Sequence, residues 1–485
     1  MIVCIAEKPS VAKDIARILG ANSSRDGYME GNGYQVTWTF GHLCELKEPN
    51  DYSENWKHWS LAALPMIPLR FGIKLIPDDG IKKQFATIEK LYSQADEIIN
   101  CGDAGQEGEL IQRWVMQKAH VKCPVKRLWI SSMTDEAIKQ GFQELKEQEN
   151  YQPLYLAGLS RAIGDWLLGM NATRLYTLKY GQNRQVLSIG RVQTPTLALI
   201  VNRQKEIENF KPETYWVLAT IYRDTQFTAT SGKFTSKEEG EQAFATIEGK
   251  PFFITNVQKK KGTDAPPHLY DLTSLQVDCN KKFGYSAETT LNIIQSLYEK
   301  KLLTYPRSDN RYLSDEHFYQ AGDIAVAIAA TMPELASATA DMEKEQKHKA
   351  FNASKIEAHH AIIPTTKSGA GIQLSEKERN VYNLVAVYFI GLFYPDAIRD
   401  KTKIHFDIKG DTFTATQSVL VQKGWEALGK DNDEEDDAED AGTGGFDLST
   451  LKFNDSGLCE LADVDKKKTT PLRYFTESTL LAAMT

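Results

Sequence analysis

No stretch of this sequence approaches the roughly 20 consecutive apolar residues that cross a bilayer. The first ten residues, MIVCIAEKPS, lack the basic start and long apolar run of a secretory signal, so a cytoplasmic protein without a membrane segment is expected. Cysteine is sparse: Cys4, Cys44, Cys101, Cys123, Cys279 and Cys459 lie far apart with no CxxC pair, which argues against a zinc ribbon and against the disulfide framework of a small secreted domain. Net positive charge is lacking too, since the formal charge is −8. All eight of those charges are matched by one tract, Asp431-Asn-Asp-Glu-Glu-Asp-Asp-Ala-Glu-Asp440, which holds eight acids and no base. The neutral remainder permits local basic surfaces, so bulk charge excludes neither a nucleic-acid partner nor a small-molecule substrate. No internal repeat is visible.

What is present is a chain of 485 residues, 41% hydrophobic and 25% charged, long enough for about three domains with separate cores. Residues 1–150 alternate strand-like and helix-like patterns. Ile2 to Ala6 is an apolar run, Val11, Ile15 and Ile18 follow at helical spacing as far as Gly20, and Tyr34 to Phe40 alternates as a strand. Glu97 to Asn100 precedes a glycine-rich loop, after which Leu110, Ile111, Trp114 and Val115 return to helical spacing. This predicts a parallel α/β domain. Residues 151–212 read as helical. Residues 213–275 and 399–470 read as one β-rich unit split by a helical section over 276–398, with 431–445 as an acidic, glycine-containing loop too polar to join a core.

Four short stretches carry chemistry. In CGDAGQEGE, Cys101 to Glu109, three carboxylates and three glycines follow a strand. Glu7 ends an earlier strand, so Glu7 and Asp103 are both expected at the crevice beyond the strands' carboxyl ends, where α/β sheets take ligands. Glu107 and Glu109 open the next helix, and acids at that spacing suit Mg²⁺; they equally suit a helix start, and the glycines a turn. Lys8, followed by Pro9 and Ser10, places an ammonium at a helix start that attracts phosphate. In Leu303-Thr-Tyr-Pro-Arg-Ser-Asp309, Pro306 holds Tyr305 extended, so Tyr305 and Arg307 share a face. A phenol can attack phosphorus while a guanidinium holds the phosphate oxygens. Glu357-Ala-His-His-Ala-Ile-Ile-Pro-Thr365 adds two histidines able to hydrogen-bond phosphate, and Ser188-Ile-Gly-Arg-Val-Gln-Thr-Pro195 adds an arginine and a small-residue turn suited to DNA phosphates. Each stretch alone is as readily structural.

Together, and in order, these stretches resemble the type IA DNA topoisomerases, most closely the bacterial topoisomerase III branch. Ile5 to Ser10 and Asp103 to Glu109 are similar to that family's Toprim motifs. Arg161 to Trp166 with Gly169 to Asn171 and Arg174 is similar to its DNA-gate helix, Ser188 to Gln193 to a DNA-contacting segment, Tyr270 to Gln276 to a further family stretch, Leu302 to Asp309 to the nucleophile motif, and Ala358 to Thr365 to the histidine motif. The resemblance implies a multidomain α/β plus α and β toroid, in which a Toprim (Rossmann-like) domain joins helical gate domains and a split β domain. It further implies that Tyr305 cuts single-stranded DNA and becomes linked to the 5′ phosphate, without ATP. Glu7 would serve as general acid and base, Lys8 and Arg307 would neutralise the phosphate, and His359 would donate a hydrogen bond. Mg²⁺ would be bound by Glu7 and Asp103 with help from Glu107. Arg161, Asp165, Arg174, Ser188, Gly190, Arg191, Val192 and Gln193 would contact DNA. Relaxation of negative supercoils and decatenation would follow from strand passage by a monomer in the cytoplasm, near the nucleoid. RNA as a substrate and a helicase as a partner are left open.

The sequence departs from the family pattern at two places. Gly105 stands where many members carry a second metal-binding aspartate, which implies one Mg²⁺. Residues 471–485 resemble the start of a returning gate-domain segment that is normally followed by a glycine-rich motif and more helices, so a truncated chain is expected. The alternatives are a topoisomerase I-like relaxase and a DNA-binding remnant that does not cycle.

Overall fold

A computed structural model describes residues 1–183, 185–223, 225–230, 232–345, 347–356, 359–429, 446–458 and 461–484. The acidic tract, with the whole expected loop 431–445, lies outside the described residues, as do Glu357 and Ala358.

The N-terminal part is built on a seven-stranded sheet. Its order is Ser23–Arg25, Tyr28–Gly31, Tyr34–Trp38, Ile2–Ala6, Glu97–Cys101, Val125–Arg127 and Lys146–Glu147. The four central strands, Tyr34–Trp38 to Val125–Arg127, are parallel. The sheet expected to be parallel throughout has antiparallel margins, because tight turns rather than crossover helices connect the strands at one edge. Side chains of the first strand alternate between two cores. Cys4 and Ala6 face the Pro9–Leu19 helix, while Val3 and Ile5 face Phe85, Ile88, Leu110 and Trp114 of the Asp79–Tyr92 and Gln106–Lys118 helices. Burial on both sides explains why the strand reads as a continuous apolar run. Gly20 closes the first helix in the left-handed conformation at φ 77°.

Two long helices follow, Gln152–Tyr180 and Gln193–Glu208. A second, fully antiparallel seven-stranded sheet is assembled from both sides of a helical insertion, in the order Ser456–Leu458, Pro251–Asp264, Ala397–Ile408, Asp411–Gln422, Thr225–Ala229, Thr214–Tyr222 and Leu461–Lys468. Period-two burial sends Ile404, Phe406, Ile408, Phe413 and Ala415 inward. The insertion is a helical core around Leu275, Ile294, Leu297, Ile328, Tyr382, Val385 and Phe389. The junction expected at 275/276 falls inside the Leu272–Phe283 helix, which Asp271 and Ser274 start with a reciprocal capping box. The junction at 398/399 falls inside the Ala397–Ile408 strand. Among the described residues no helix is long and apolar enough to cross a membrane.

The helical insertion docks on the first sheet's helices. Lys301, nearly buried, donates to Asp14 at 2.8 Å and to Asp135 at 3.3 Å, and Arg17 grips Asp135 through two bonds of 2.8 and 2.6 Å. Four residues on, the Tyr305 backbone N–H donates to the Ser131 carbonyl at 3.1 Å. Lys301→Ala leaves Asp14 without this partner and should cost about 1–3 kcal/mol of docking. Hydrogen exchange should then accelerate across Leu302–Tyr305 while the strands Ile2–Ala6 and Glu97–Cys101 stay protected; unchanged exchange at Leu302–Tyr305 would count against the clamp.

Candidate active site

Register places the two acids. Ala6 pairs with Cys101 across adjacent parallel strands, so the next residues of each strand, Glu7 and the Gly102-Asp103 turn, leave the sheet side by side at its carboxyl edge. Both carboxyls are buried, at 5% and 8% exposure. Burial, and then the Asp103 charge, raises Glu7 to about 7, opposed by Lys8, Arg307 and a hydrogen bond from the Asp103 backbone N–H. Burial likewise raises Asp103, opposed by Lys8, Arg307 and Arg127. Two buried carboxyls that repel one another form a site for a proton or a cation.

Glycine in CGDAGQEGE acts through close approach at 108. Gly102, Gly105 and Gly108 lie in the strand-to-helix connection and its first helical turn, outside the left-handed region of φ. A Cβ on Gly108 would lie 2.1 Å from the Asp103 carbonyl oxygen, and one on Gly105 would lie 3.5 Å from His359 Nε2. Glycine at 108 thus lets the Gln106–Lys118 helix sit against the Asp103 backbone, whereas a Cβ at 105 would make only ordinary contact with His359.

The other acids of the loop part company. Glu109 is fully buried and structural: it accepts from Arg127 Nε at 2.6 Å, Gln148 Nε2 at 2.8 Å and Arg113 Nε at 3.1 Å. Glu107, expected to assist the acid pair, accepts from His42 Nε2 at 2.6 Å, and that contact holds it below the usual carboxylate range, with smaller help from Arg161 and Arg307. Among the described residues no three metal-ligating side chains converge. Glu7 and Asp103, two hard oxygen donors whose mutual repulsion a divalent ion relieves, fit a single Mg²⁺ with most of its shell left to other oxygens. His42 went unnoticed in the sequence. It follows the Tyr34–Trp38 strand at the same carboxyl edge, and that position is the signal that could have found it.

From the insertion, Tyr305 brings its ring to this edge. It is 8% exposed and packs with the core formed by Cys4, Ala6 and Ile15. Its ring stacks on His359 at 4.3 Å and meets Tyr298 edge-on at 5.8 Å. Burial and the Asp103 charge push its phenol well above the usual range, while Arg307 counters through its charge and a hydrogen bond to the phenolic oxygen. The Tyr305–Arg307 pairing expected from the extended segment is therefore present. Lys8 lies 3.9 Å from Glu299 at the same seam.

His359 is held from behind by Trp129, which stacks on it at 6.3 Å and on Tyr151 at 4.5 Å. Burial lowers it to about 4, assisted by His360 and opposed by a hydrogen bond to the Ala104 backbone, so the ring is neutral near pH 7. Its Nδ1 is buried without a partner. The donor expected here thus has one ring nitrogen, Nδ1, without a partner among the described residues.

Along the helical part, Arg161 is exposed on the Gln152–Tyr180 helix. Asp165 accepts from Arg191 Nε at 2.8 Å and Nη2 at 3.3 Å. Ser188 Oγ accepts from Gln193 Nε2 at 2.8 Å, and the Gly190 N–H donates to Thr194 Oγ1 at 3.1 Å. Val192 is the exposed residue that begins the Gln193–Glu208 helix. Arg174 does not join this exposed row: it is buried, donates to the Trp56 carbonyl at 2.6 Å and lies 5.2 Å over the Trp59 ring. The resemblance grouped Arg174 with Arg161 as a DNA contact but carried no information about the 56–59 loop that covers Arg174.

Comparison with known proteins fits this architecture. Residues 2–133 match the Toprim domain and residues 149–485 match the DNA topoisomerase family. The full-length topoisomerase I of Thermotoga maritima superposes with a TM-score of 0.72 over 99% of this chain and 74% of its own, at 21% identity. The fold is that of the type IA topoisomerases, a Toprim sheet with a docked domain beside it. This chain belongs to the DNA topoisomerase family. Proteins named DNA topoisomerase 3 from Shouchella clausii and Bacillus subtilis are 40% and 38% identical to it over 99% of its length. The chain spans 66% of the first and 67% of the second.

The raised Glu7 sets a stability profile. A carboxyl at about 7 in the folded chain and near 4.5 when unfolded loses native stability as pH rises between those values. Glu7→Gln should therefore match wild type at pH 4 and exceed it above pH 7, by on the order of 2 kcal/mol, in denaturant melts. Added Mg²⁺ should narrow that gap by stabilising wild type alone.

Proposed function

We propose that this chain carries the strand-cleaving and resealing core of a type IA DNA topoisomerase acting on single-stranded DNA. The observation that carries the reading is the Tyr305 phenol, with Arg307 beside it, buried near the Glu7–Asp103 pair at a seam between two domains. Tyr305 Oη attacks the scissile phosphorus, forming a phosphotyrosine bond to the 5′ phosphate as the bond to the 3′ oxygen breaks. The net proton balance moves the phenolic proton to the 3′ oxygen, with Glu7 making the last transfer; a carboxyl at about 7 can both give and retake that proton near neutrality. One phosphoester replaces another, so resealing needs no ATP.

Arg307 and Lys8 balance the phosphate charge. The phosphate's negative charge favours a protonated His359, whose orphan Nδ1 then becomes a donor. Glu7 and Asp103 would hold Mg²⁺, which supplies electrostatic alignment of the 3′ hydroxyl for resealing. Arg161, Arg191, Ser188 and Gln193 lie exposed along the helical part and suit the backbone of an unpaired strand, with Arg191 leaving or sharing Asp165. Separation of the two domains while the tyrosyl ester persists opens a passage for a second strand, which supports relaxation and decatenation as the outcome, in the cytoplasm where DNA is available.

Tyr305→Phe tests this reading. Wild-type chain mixed with single-stranded DNA and denatured should retain a 3′-labelled fragment, and the variant should fall by at least about a thousandfold. Absence of a Tyr305-dependent adduct, or attachment of the 5′-labelled fragment instead, would sink it.

A further inference from the structure

The domain that carries Tyr305 has a basic strip that the proposed cleavage step leaves unused. Beyond Pro306 the chain turns outward: Arg307 and Asp309 are exposed while Ser308 is buried and donates to the His360 carbonyl at 2.7 Å. The next residues meet the 348–355 segment and His268. Asn310 Nδ2 donates to the Lys355 carbonyl at 2.7 Å. The Lys355 ammonium donates to the Tyr312 hydroxyl at 2.9 Å and lies 4.5 Å over that ring, and the His268 ring is 6.3 Å from Tyr312 on another side. Arg311 reaches Asp271 at 2.9 Å with its side chain 40% exposed. Lys349 is exposed and, among the described residues, makes no hydrogen bond or ion pair. His268 senses this charge directly: after burial, Arg311, Lys349 and Lys355 all hold it below its ordinary range. Asp271 is committed to Arg311 and to the helix cap, and Asp309 is an exposed acid beside the strip among the described residues.

We infer that Arg311, Lys349 and Lys355, with the Tyr312 and His268 rings, form a grip for the single strand that Tyr305 holds covalently. The inference rests on the cleavage reading above and adds a binding surface to it. Three arguments support it. The segment is continuous with the site, since Arg307 and Arg311 are at most about 14 Å apart along an extended chain, so the strand leaving Tyr305 meets the strip within a few nucleotides. Three cations around two rings suit a backbone whose bases are free to stack, whereas a duplex hides those faces. Finally, the strand bonded to Tyr305 must move with this domain whenever the Toprim contacts open, and a grip on the same domain is the one that persists through that movement.

The experiment compares the full chain with a Lys349→Gln/Lys355→Gln double variant, using fluorescent oligothymidylate over a salt series. Two lost phosphate contacts should reduce the slope of log affinity against log salt by about 1.4, with about a tenfold loss of affinity at moderate salt. Lys349→Gln alone, at an exposed position without bonds, should lower the slope by about 0.7 and guards against misfolding of the double variant; Lys349→Arg should restore it. An unchanged slope and affinity would overturn the inference, as would a change confined to duplex DNA, which would mean that Lys355 only braces Tyr312 for single strands. Adduct formation is read separately. No adduct with an altered slope removes the cleavage reading and leaves only a non-covalent single-strand binding surface, while a normal adduct with an unaltered slope removes the grip alone.

Discussion

Arg127 and Glu109 form a fully buried ion pair on which the geometry of the site depends. A guanidinium placed in an interior costs far more than its Coulomb attraction returns unless its N–H groups are satisfied. Here they are. Besides Glu109, Arg127 donates to the backbone carbonyls of Asn100, Gly102, Asp103 and Leu128. Two of those carbonyls, of Gly102 and Asp103, belong to the turn that carries Asp103, and a third, of Asn100, lies in the strand that leads into it. The cation therefore fixes the turn by its backbone and leaves the Asp103 carboxyl free, which a bond to the carboxyl itself would not do. The same guanidinium lies 4.9 Å over Trp129, the ring that backs His359. One buried charge thus sets both the acid edge of the sheet and the stack of rings against the nucleophile.

The seam between the two parts is built to hold and also to separate. Among the described residues its contacts include an ionic clamp at Lys301, the Lys8–Glu299 pair, one backbone bond from Tyr305 to Ser131, and ring contacts at Tyr305 and between Trp129 and His359. Beside them lies a cavity of about 300 Å³, bordered by Trp129, Ser131, Glu136, Thr304, His317 and His360. Domain interiors are close-packed, whereas a seam with polar walls and free volume resembles an interface that parts at modest cost. Each side keeps its own core when separated: Ile15, Ala12 and Ile99 on one side, Leu297, Leu302 and Phe389 on the other. Tyr305 belongs by chain to the insertion and by packing to the first domain, so separation exposes the nucleophile and whatever it carries.

The sequence showed the placement of Glu7, Asp103, Tyr305 and Arg307, because each follows from a local rule: acids after apolar runs in a parallel sheet, and alternate residues after a proline-restricted position. It was poor at dividing labour among neighbours. Glu107 and Glu109 are two residues apart at the start of one helix, yet one faces His42 and the other the buried Arg127; the partners come from distant strands that spacing cannot reveal. Arg174 was grouped with Arg161 by resemblance alone, and the 56–59 loop that covers it comes from another part of the chain. The loop glycines were legible as a turn, but at Gly108 the necessity lies in the close approach of the Asp103 backbone to the Gln106–Lys118 helix, and a turn rule cannot distinguish that from a demand for positive φ.

The charge states of the closed site follow from its geometry and bear on the order of events. Tyr305 is held neutral by burial and by two acids, His359 is held neutral by burial, and Glu7 shares its edge with Asp103. A phosphodiester entering between them adds negative charge to all three. By the rule that a like charge favours protonation of an acid and an opposite charge favours a cation, it shifts Glu7 further toward the acid form and His359 toward the imidazolium. Both are the forms that cleavage uses. The same charge opposes ionisation of Tyr305, so the phenol depends on Arg307, the group already bonded to its oxygen, and on loss of its proton together with attack rather than before it. In the proposed reaction, binding of DNA would thereby load the donor and the hydrogen-bonding histidine while keeping the phenol unreactive until a phosphorus atom is in place. A site poised in this way would be quiet in the absence of a strand.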